Sequence, residues 1–240
     1  MSGHSKWSKI KRKKGAEDQS RGKIFSKLSK VISVAARAGT DPGANPSLRV
    51  AIENAKSASM PKENIERAIS KGSGGAEGAN YEEITYEAFG PGGSALLIEC
   101  LTDNKNRALT EVKTVLNKLG GSLVSAGSVS YQFSKKGEIV ISKGKNDKSD
   151  DQIEEAIIES GADDFELEGE EYVLTTGYKD LHAVSENIKK LGLTIESAEL
   201  VYVSLNMVDL DEAEKSKALS LLETLEDLDD VNKLHSNINF

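Results

Sequence analysis

The sequence predicts an α+β protein: a three-helix N-terminal domain and two ferredoxin-like α/β sandwich domains, the last inserted into the middle one. Three observations predict this. Apolar residues recur at helical spacing up to residue 72, and strand and helical periods alternate from Tyr81 onward. A glycine-rich stretch separates the two regions. The charge changes sign there: residues 1–75 hold 16 Lys and Arg against 6 Asp and Glu, whereas the whole chain has 31 against 39.

The composition limits which classes of protein the chain can belong to. With 240 residues, 38% of them hydrophobic and 29% charged, the chain is long enough for two or three small soluble domains. No apolar run approaches the ~20 residues that span a bilayer. The N-terminus is basic but lacks the apolar region of a secretory signal. A single cysteine, Cys100, excludes an internal disulfide and suits a reducing compartment. We therefore predict a cytoplasmic protein that does not act at a membrane.

Three helices are predicted in residues 1–72. The first has an apolar face made by Ile24, Leu28, Val31, Ile32 and Ala35. It ends near Gly39, and Asn45 then caps a second helix whose first turn accepts Pro46. Met60-Pro61 opens a third helix, which ends at Gly72. Residues 73–80, rich in glycine, are predicted to be a linker.

Two sandwiches follow the linker. Residues 81–89, 94–102 and 128–133 are predicted strands, and 106–119 is a predicted helix, so this β-β-α-β unit is unfinished. Residues 137–205 contain the order β-α-β-β-α-β, which is ferredoxin-like. A helix over 211–225 and a strand near 231–235 then supply what the first unit lacks. We therefore predict one discontinuous domain, 81–136 with 206–240, that carries 137–205 as an insert.

The basic leader and the first helix are the candidate site. Each Lys or Arg that neutralises a phosphate releases counterions, which favours binding to nucleic acid. Trp7 stands among these cations and would stack on an unpaired base. The candidate nucleic-acid-binding residues are Lys6, Trp7, Lys9, Lys11, Arg12, Lys13, Lys14, Arg21, Lys23, Lys27, Lys30 and Arg37. The alternative is a solvated tail with Trp7 packed on the helices, but the separation of charge along the chain favours binding.

Other polar groups give weaker signals. Asp103 or Asn104 is predicted to cap the helix that follows, although Lys105 and Arg107 could instead touch RNA or a ribosome. The acidic runs, EDLDD at 226–230 among them, are predicted to be solvated faces.

No chemistry of catalysis or metal binding is indicated. His4, His182 and His235 lack the spacing of metal ligands, and one cysteine cannot make a zinc site. No nucleophile motif occurs either. We predict neither an enzyme nor a cofactor.

Several ordered motifs resemble one known family. They are GHSKW (3–7), RGKIFSKL (21–28), DPGANPSLRVAIENAK (41–56), MPKENIERAI (60–69), GANYEEITYEAFGPGG (78–93), ECLTDNKNR (99–107) and GSVSYQF (127–133). Together they look like the YebC/PmpR family, which includes a mitochondrial translational activator of cytochrome c oxidase subunit I. The resemblance covers nearly the whole chain. It implies a three-domain α/β fold, no enzyme activity and a DNA-binding transcriptional regulator. The alternative it implies is a ribosome-associated translation factor that relieves stalling by binding rRNA or tRNA.

Overall fold

The computed structural model describes residues 18–74 and 81–240. Its helices are α1 (Asp18–Ala35), α2 (Pro46–Ser57), α3 (Lys62–Gly72), α4 (Lys105–Lys118), α5 (Asp150–Ser160), α6 (Leu181–Lys190) and α7 (Glu212–Glu226). Its strands are β1 (Glu82–Phe89), β2 (Ala95–Thr102), β3 (Ser122–Val124), β4 (Phe133–Ser142), β5 (Asp164–Glu168), β6 (Glu171–Gly177), β7 (Ser197–Ser204), β8 (Val208–Asp209), β9 (Val231–Ser236) and β10 (Ile238–Asn239). Across these two ranges, no helix is both long and apolar enough to cross a bilayer.

The three N-terminal helices pack on one another. Their buried core contains Ile32, Ala36, Leu48, Ala51, Ile52, Ala55, Met60, Ile65 and Ala68. Asn45 begins α2 as predicted, because its side chain accepts a hydrogen bond from the Leu48 N–H at 3.1 Å. The same side chain donates to two carbonyl groups of the preceding turn, each at 2.7 Å. Helices α1 and α3 approach so closely that a Cβ at Gly72 would lie 2.1 Å from the Ser33 carbonyl oxygen.

The first sandwich has an antiparallel sheet in the order β3-β1-β2-β9. Helices α4 and α7 pack on it, and the core they share includes Leu96, Ile98, Val112, Leu116, Leu221 and Leu222. Strand β9 pairs with β2 from Leu96 opposite Ser236 to Cys100 opposite Val231. The predicted return of the chain to its first sheet is confirmed.

The inserted sandwich has the sheet order β5-β6-β4-β7, with every neighbouring pair antiparallel. This is the ferredoxin-like order that the sequence predicts. Helix α5 begins with a capping box in which Ser149 and Gln152 bond reciprocally, and it ends at Gly161 with φ of 87°. The strand β7 lies at one edge of this sheet, next to the first sandwich.

The prediction of a strand over 128–133 is wrong. Residues 130–132 form a 3-10 turn, and Phe133 opens β4 of the other sheet. The cause is Glu87 on β1, which lies about 40 residues earlier in the chain. Its carboxylate accepts hydrogen bonds from three backbone N–H groups, those of Gly127 at 2.7 Å, Val129 at 2.6 Å and Ser130 at 3.0 Å. These groups are thereby held in a turn, and β3 takes the place beside β1.

Candidate nucleic-acid interface

The cationic face of α1 lies against residues 226–230, the segment at the end of α7. Nζ of Lys23 donates to the Asp227 carbonyl oxygen at 3.3 Å and lies 3.5 Å from the Asp227 carboxylate. Nζ of Lys27 donates to the Glu226 carbonyl oxygen. Carbonyl groups at a helix C-terminus have no partner within the helix and carry partial negative charge, so lysines suit them. Two of the predicted phosphate-binding lysines therefore contact this chain's own backbone.

Asp230 is the centre of this contact. Its side chain is 1% exposed, and Lys30 donates to its Oδ1 at 3.1 Å. On the other side, Nε of Arg107 donates to Oδ2 at 2.9 Å. The carbonyl oxygen of Asp229 accepts a further bond from Lys30 at 2.9 Å. A buried carboxylate needs such partners. The prediction that 226–230 is a solvated face is therefore wrong at Asp230, which joins α1 to the first sandwich.

Arg107 reaches Asp230 because Asn104 fixes the start of α4. The Asn104 side chain accepts a hydrogen bond from the Arg107 N–H at 3.1 Å, which confirms the predicted cap. The Arg107 guanidinium also donates to Asp103 Oδ1 at 2.7 Å. That hydrogen bond lowers the pKa of Asp103 below its ordinary value. Lys105 pairs with Glu82. The polar cluster at 103–107 thus has partners inside the protein.

Tyr81 forms a second link between the helices and the sheet. Its carbonyl oxygen accepts a hydrogen bond from Arg37 Nη1 at 2.8 Å. Its ring lies 5.8 Å from Lys30 Nζ and 5.7 Å from Lys71 Nζ, within the range of cation–π attraction. Arg37, another predicted site residue, therefore also lies at the junction of the domains.

The remaining predicted site residues lie elsewhere. Arg21 is exposed near the start of α1. Lys6, Trp7, Lys9, Lys11, Arg12, Lys13 and Lys14 lie outside the described residues.

A set of cations that the sequence reasoning missed lies on α2 and beyond the linker. Arg49 and Lys56 stand seven residues apart on α2, and Lys179 precedes α6. Lys56 and Lys179 are exposed. Within the described ranges, none of the three side chains makes a hydrogen bond or ion pair. The helical spacing of Arg49 and Lys56 is a signal that the sequence contains. The fold is what brings Lys179 to the opposite wall.

These cations line a cleft of about 1060 Å³ where the three domains meet. Residues of α1 and α2 form one wall, and residues of α6 and β7 form the other. One ion pair crosses it, with Nζ of Lys189 lying 3.2 Å from the Glu53 carboxylate. Glu53 of α2 thus pairs across the cleft with a residue of α6. Lys233 of β9 lies in the same lining.

His235 joins the two sandwiches beside this cleft. Its ring is fully buried, and Nδ1 accepts a hydrogen bond from the Tyr202 N–H of β7 at 3.4 Å. Nε2 therefore carries the proton and donates to Glu99 Oε2 at 3.2 Å. Burial raises the pKa of Glu99, but the bond from His235 and the charge of Lys233 outweigh it and lower the pKa overall. The cleft is thus held between sandwiches that are bonded through buried groups.

Comparison with known proteins bears on the whole chain. Residues 5–75 match the profile of the TACO1/YebC protein N-terminal domain. Residues 81–238 match the profile of the TACO1/YebC second and third domain.

Close relatives carry one name. A protein of Geobacter sulfurreducens, named "Probable transcriptional regulatory protein", is 48% identical over 240 residues, which covers 100% of this chain and 96% of that protein. A protein of Geobacillus thermodenitrificans with the same name is 46% identical over 240 residues, which covers 100% of this chain and 97% of that protein. The crystal structure of a conserved hypothetical protein from Aquifex aeolicus is similar, with a TM-score of 0.86 and 44% identity over 92% of this chain and 91% of that one.

Proposed function

This chain belongs to the TACO1/YebC family, and on that premise we propose that it is a non-enzymatic, cytoplasmic protein that binds DNA and regulates transcription. The relatives named above as "Probable transcriptional regulatory protein" support the regulatory role.

The separation of charge carries the proposal. The chain as a whole is acidic, with a formal net charge of −8. Residues 1–75 nevertheless have an excess of 10 positive charges, because 16 Lys and Arg stand against 6 Asp and Glu. Nucleic acid attracts such a segment through counterion release, and the acidic remainder repels phosphate and so orients the approach.

We assign the first phosphate contacts to the leader cations, which are Lys6, Lys9, Lys11, Arg12, Lys13 and Lys14, with Trp7 as a stacking residue. Lys23, Lys27, Lys30 and Arg37 have partners within the chain, so their role toward nucleic acid stays a prediction that a separate experiment decides.

The test is a titration of the whole protein against a fluorescent DNA duplex at several salt concentrations. Replacing Lys11, Arg12, Lys13 and Lys14 by Ala should weaken binding to every sequence alike. The slope of log affinity against log salt should fall by about 3 to 4, since each phosphate contact contributes about 0.9. The control removes four exposed lysines elsewhere, Lys113, Lys118, Lys190 and Lys217. An unchanged slope for the leader variant would refute the assignment.

A second measurement separates transcription from translation. If the protein acts on DNA, it should sediment from a cell lysate with chromosomal DNA, and nuclease should release it. Sedimentation with ribosomes would instead favour the translational role that the family resemblance implies.

A further inference from the structure

We propose that the cleft between the three domains binds a single-stranded segment of nucleic acid. Arg49, Lys56 and Lys179 contact its phosphates, and Tyr178 stacks on a base. The proposal rests on the proposed function, because it adds a second contact to a protein that the leader already brings to nucleic acid.

The size and the walls of the cleft suit a polymer. Its volume of about 1060 Å³ lies just above the range for small-molecule pockets, which is about 300–1,000 Å³. It is lined by helices of the N-terminal domain, by α6 and β7 of the inserted sandwich and by part of β9. A chain that follows the cleft therefore touches all three domains.

Three cations of the cleft lining have no ion-pair partner among the described residues. Among the carboxylates of the lining, Glu53 and Glu186 pair with Lys189, while Glu196 pairs with Lys145 and Glu199 with Lys233. Glu53 and Glu186 share the single positive charge of Lys189, whereas Glu196 and Glu199 each have a lysine of their own. Arg49, Lys56 and Lys179 make no ion pair with any described residue, and the carboxylate left in the same condition is that of Glu83. The lining as a whole holds six Lys and Arg against six Glu, so the attraction for a polyanion rests on the local group of Arg49, Lys56 and Lys179, whose positive charges have no ion-pair partner in the described ranges and suit phosphates.

Exposed apolar groups stand among these cations. Tyr178 is 50% exposed, and Ile24 and Leu200 are each 36% exposed in the same lining. Nζ of Lys179 lies 5.6 Å from the centre of the Tyr178 ring. Proteins use an exposed aromatic ring with neighbouring cations to stack an unpaired base while the cations follow the backbone. Bases in a duplex stack on each other and leave no face for Tyr178. A single strand therefore fits, and a duplex does not.

A peptide strand added to the sheet fits less well. The strand β7 is an edge strand, and edges commonly accept a further strand through free backbone groups. Here the Leu200 carbonyl oxygen already accepts a hydrogen bond from Lys233 Nζ at 2.7 Å. The Tyr202 N–H already donates to His235. Side chains of β9 thus occupy the edge that such a peptide would need.

The test measures the binding of the full-length protein to fluorescent 20-nucleotide single strands, oligo-dT and oligo-U, and to a DNA duplex. One variant changes Arg49, Lys56 and Lys179 to Ala. Its matched control changes Lys113, Lys118 and Lys217, three exposed lysines outside the cleft. Only the cleft variant should reduce the salt slope for single strands, by about 2, because each contact contributes about 0.7. Duplex affinity should equal that of the control. The two oligonucleotides show whether the sugar is deoxyribose or ribose.

Tyr178 gives an independent readout. Tyr178→Leu should lower single-strand affinity roughly 5- to 150-fold, the range for losing one stacked base, whereas Tyr178→Phe keeps the ring and should bind like the wild type. Thermal unfolding of each variant checks that the fold is retained.

The outcomes separate the two proposals. If the cleft variants bind single strands as tightly as the control while the leader variant loses affinity, the cleft proposal is wrong and the proposed function stands. If the wild-type protein binds neither single strands nor duplex, both are wrong. Tight binding of an unrelated acidic peptide in the cleft, with no loss of oligonucleotide binding in the variants, would also overturn the cleft proposal.

Discussion

Nζ of Lys30 on α1 lies 3.1 Å from Oδ1 of Asp230, a carboxylate that is almost completely buried. Arg107 holds the other side of the same carboxylate. Because Lys30 belongs to the helical domain and Asp230 immediately precedes β9, this pair joins the helices to the first sandwich. This buried pair adds to the contacts that Lys23, Lys27 and Arg37 make between the N-terminal helices and the rest of the chain.

Removing that carboxylate should destabilise the protein strongly. In Asp230→Asn, Lys30 and Arg107 lose the charge that compensates their partial burial. Breaking a buried pair in this way typically costs about 3–5 kcal/mol, which urea unfolding measures. The control is Asp229→Asn, because the Asp229 side chain is exposed and only its carbonyl bonds Lys30. A free energy of unfolding for Asp230→Asn equal to that of the control would contradict this account.

Lys23 and Lys27 decide whether the α1 face binds nucleic acid or only the end of α7. Changing both to Gln removes cations from a helix C-terminus, which should cost about 1 kcal/mol of stability. If Lys23 and Lys27 only stabilise the fold, the double variant should bind the DNA duplex with the affinity and the salt slope of the wild type, within experimental error. A loss of slope comparable to that of the leader variant would mean that DNA displaces residues 226–230 and uses α1, as the sequence predicts.

The local signals in the sequence predicted most of the fold. Asn45 and Pro46 mark the start of α2 because capping chemistry acts within one turn of the chain. The unfinished first sandwich required a helix and a strand, and α7 and β9 supply them. In each case the physical cause lies in a pattern of neighbouring residues.

The sequence failed where a distant side chain decides the structure. Residues 128–133 alternate like a strand, but Glu87 binds their N–H groups and holds a turn. The lysines of α1 looked free because the carbonyls that they contact lie about 200 residues later in the chain. The three cleft cations without an ion pair to any described residue come from α2 and from the residues just before α6, which no local pattern brings together.

The hydrogen bonds at Glu87 should make stability depend on pH. Burial raises the pKa of Glu87, but the three N–H donors outweigh it and hold the pKa below the ordinary 4.5. The charged form therefore stabilises the fold fully above pH 4.5, and this stabilisation is lost as the pH falls through the lowered pKa. Glu87→Gln should cost about 2 kcal/mol at pH 7, the value of a buried hydrogen bond to a charged group.

The difference in free energy of unfolding between the wild type and Glu87→Gln should shrink as the pH falls below 4.5. Urea unfolding at each pH measures it. The control is Glu83→Gln on the same strand, whose side chain is exposed. Glu83→Gln should change the free energy of unfolding by no more than about 0.5 kcal/mol at every pH. A Glu87→Gln difference that is independent of pH would show that the carboxylate charge is not what holds the turn.

Cys100 reports whether the first sandwich needs the end of the chain. The thiol is 2% exposed on β2, and burial together with the charge of Asp230 raises its pKa to about 12. In the intact protein a thiol reagent at pH 8 should therefore label it only as fast as the protein unfolds. A chain that ends at Asn206 lacks α7 and β9, so β2 loses both a neighbouring strand and its covering helix.

In that shortened chain we expect Cys100 to be labelled at a rate close to that of the denatured protein. Amide exchange over residues 96–101 should accelerate as well, while β4 to β7 keep their protection because their core lies within the insert. The rate at which Cys100 is labelled in the denatured full-length protein is the upper reference for this comparison. If Cys100 stayed protected after truncation, β1, β2 and α4 would fold without the tail. The cleft would then depend on α7 and β9 only for the residues that they contribute to its lining.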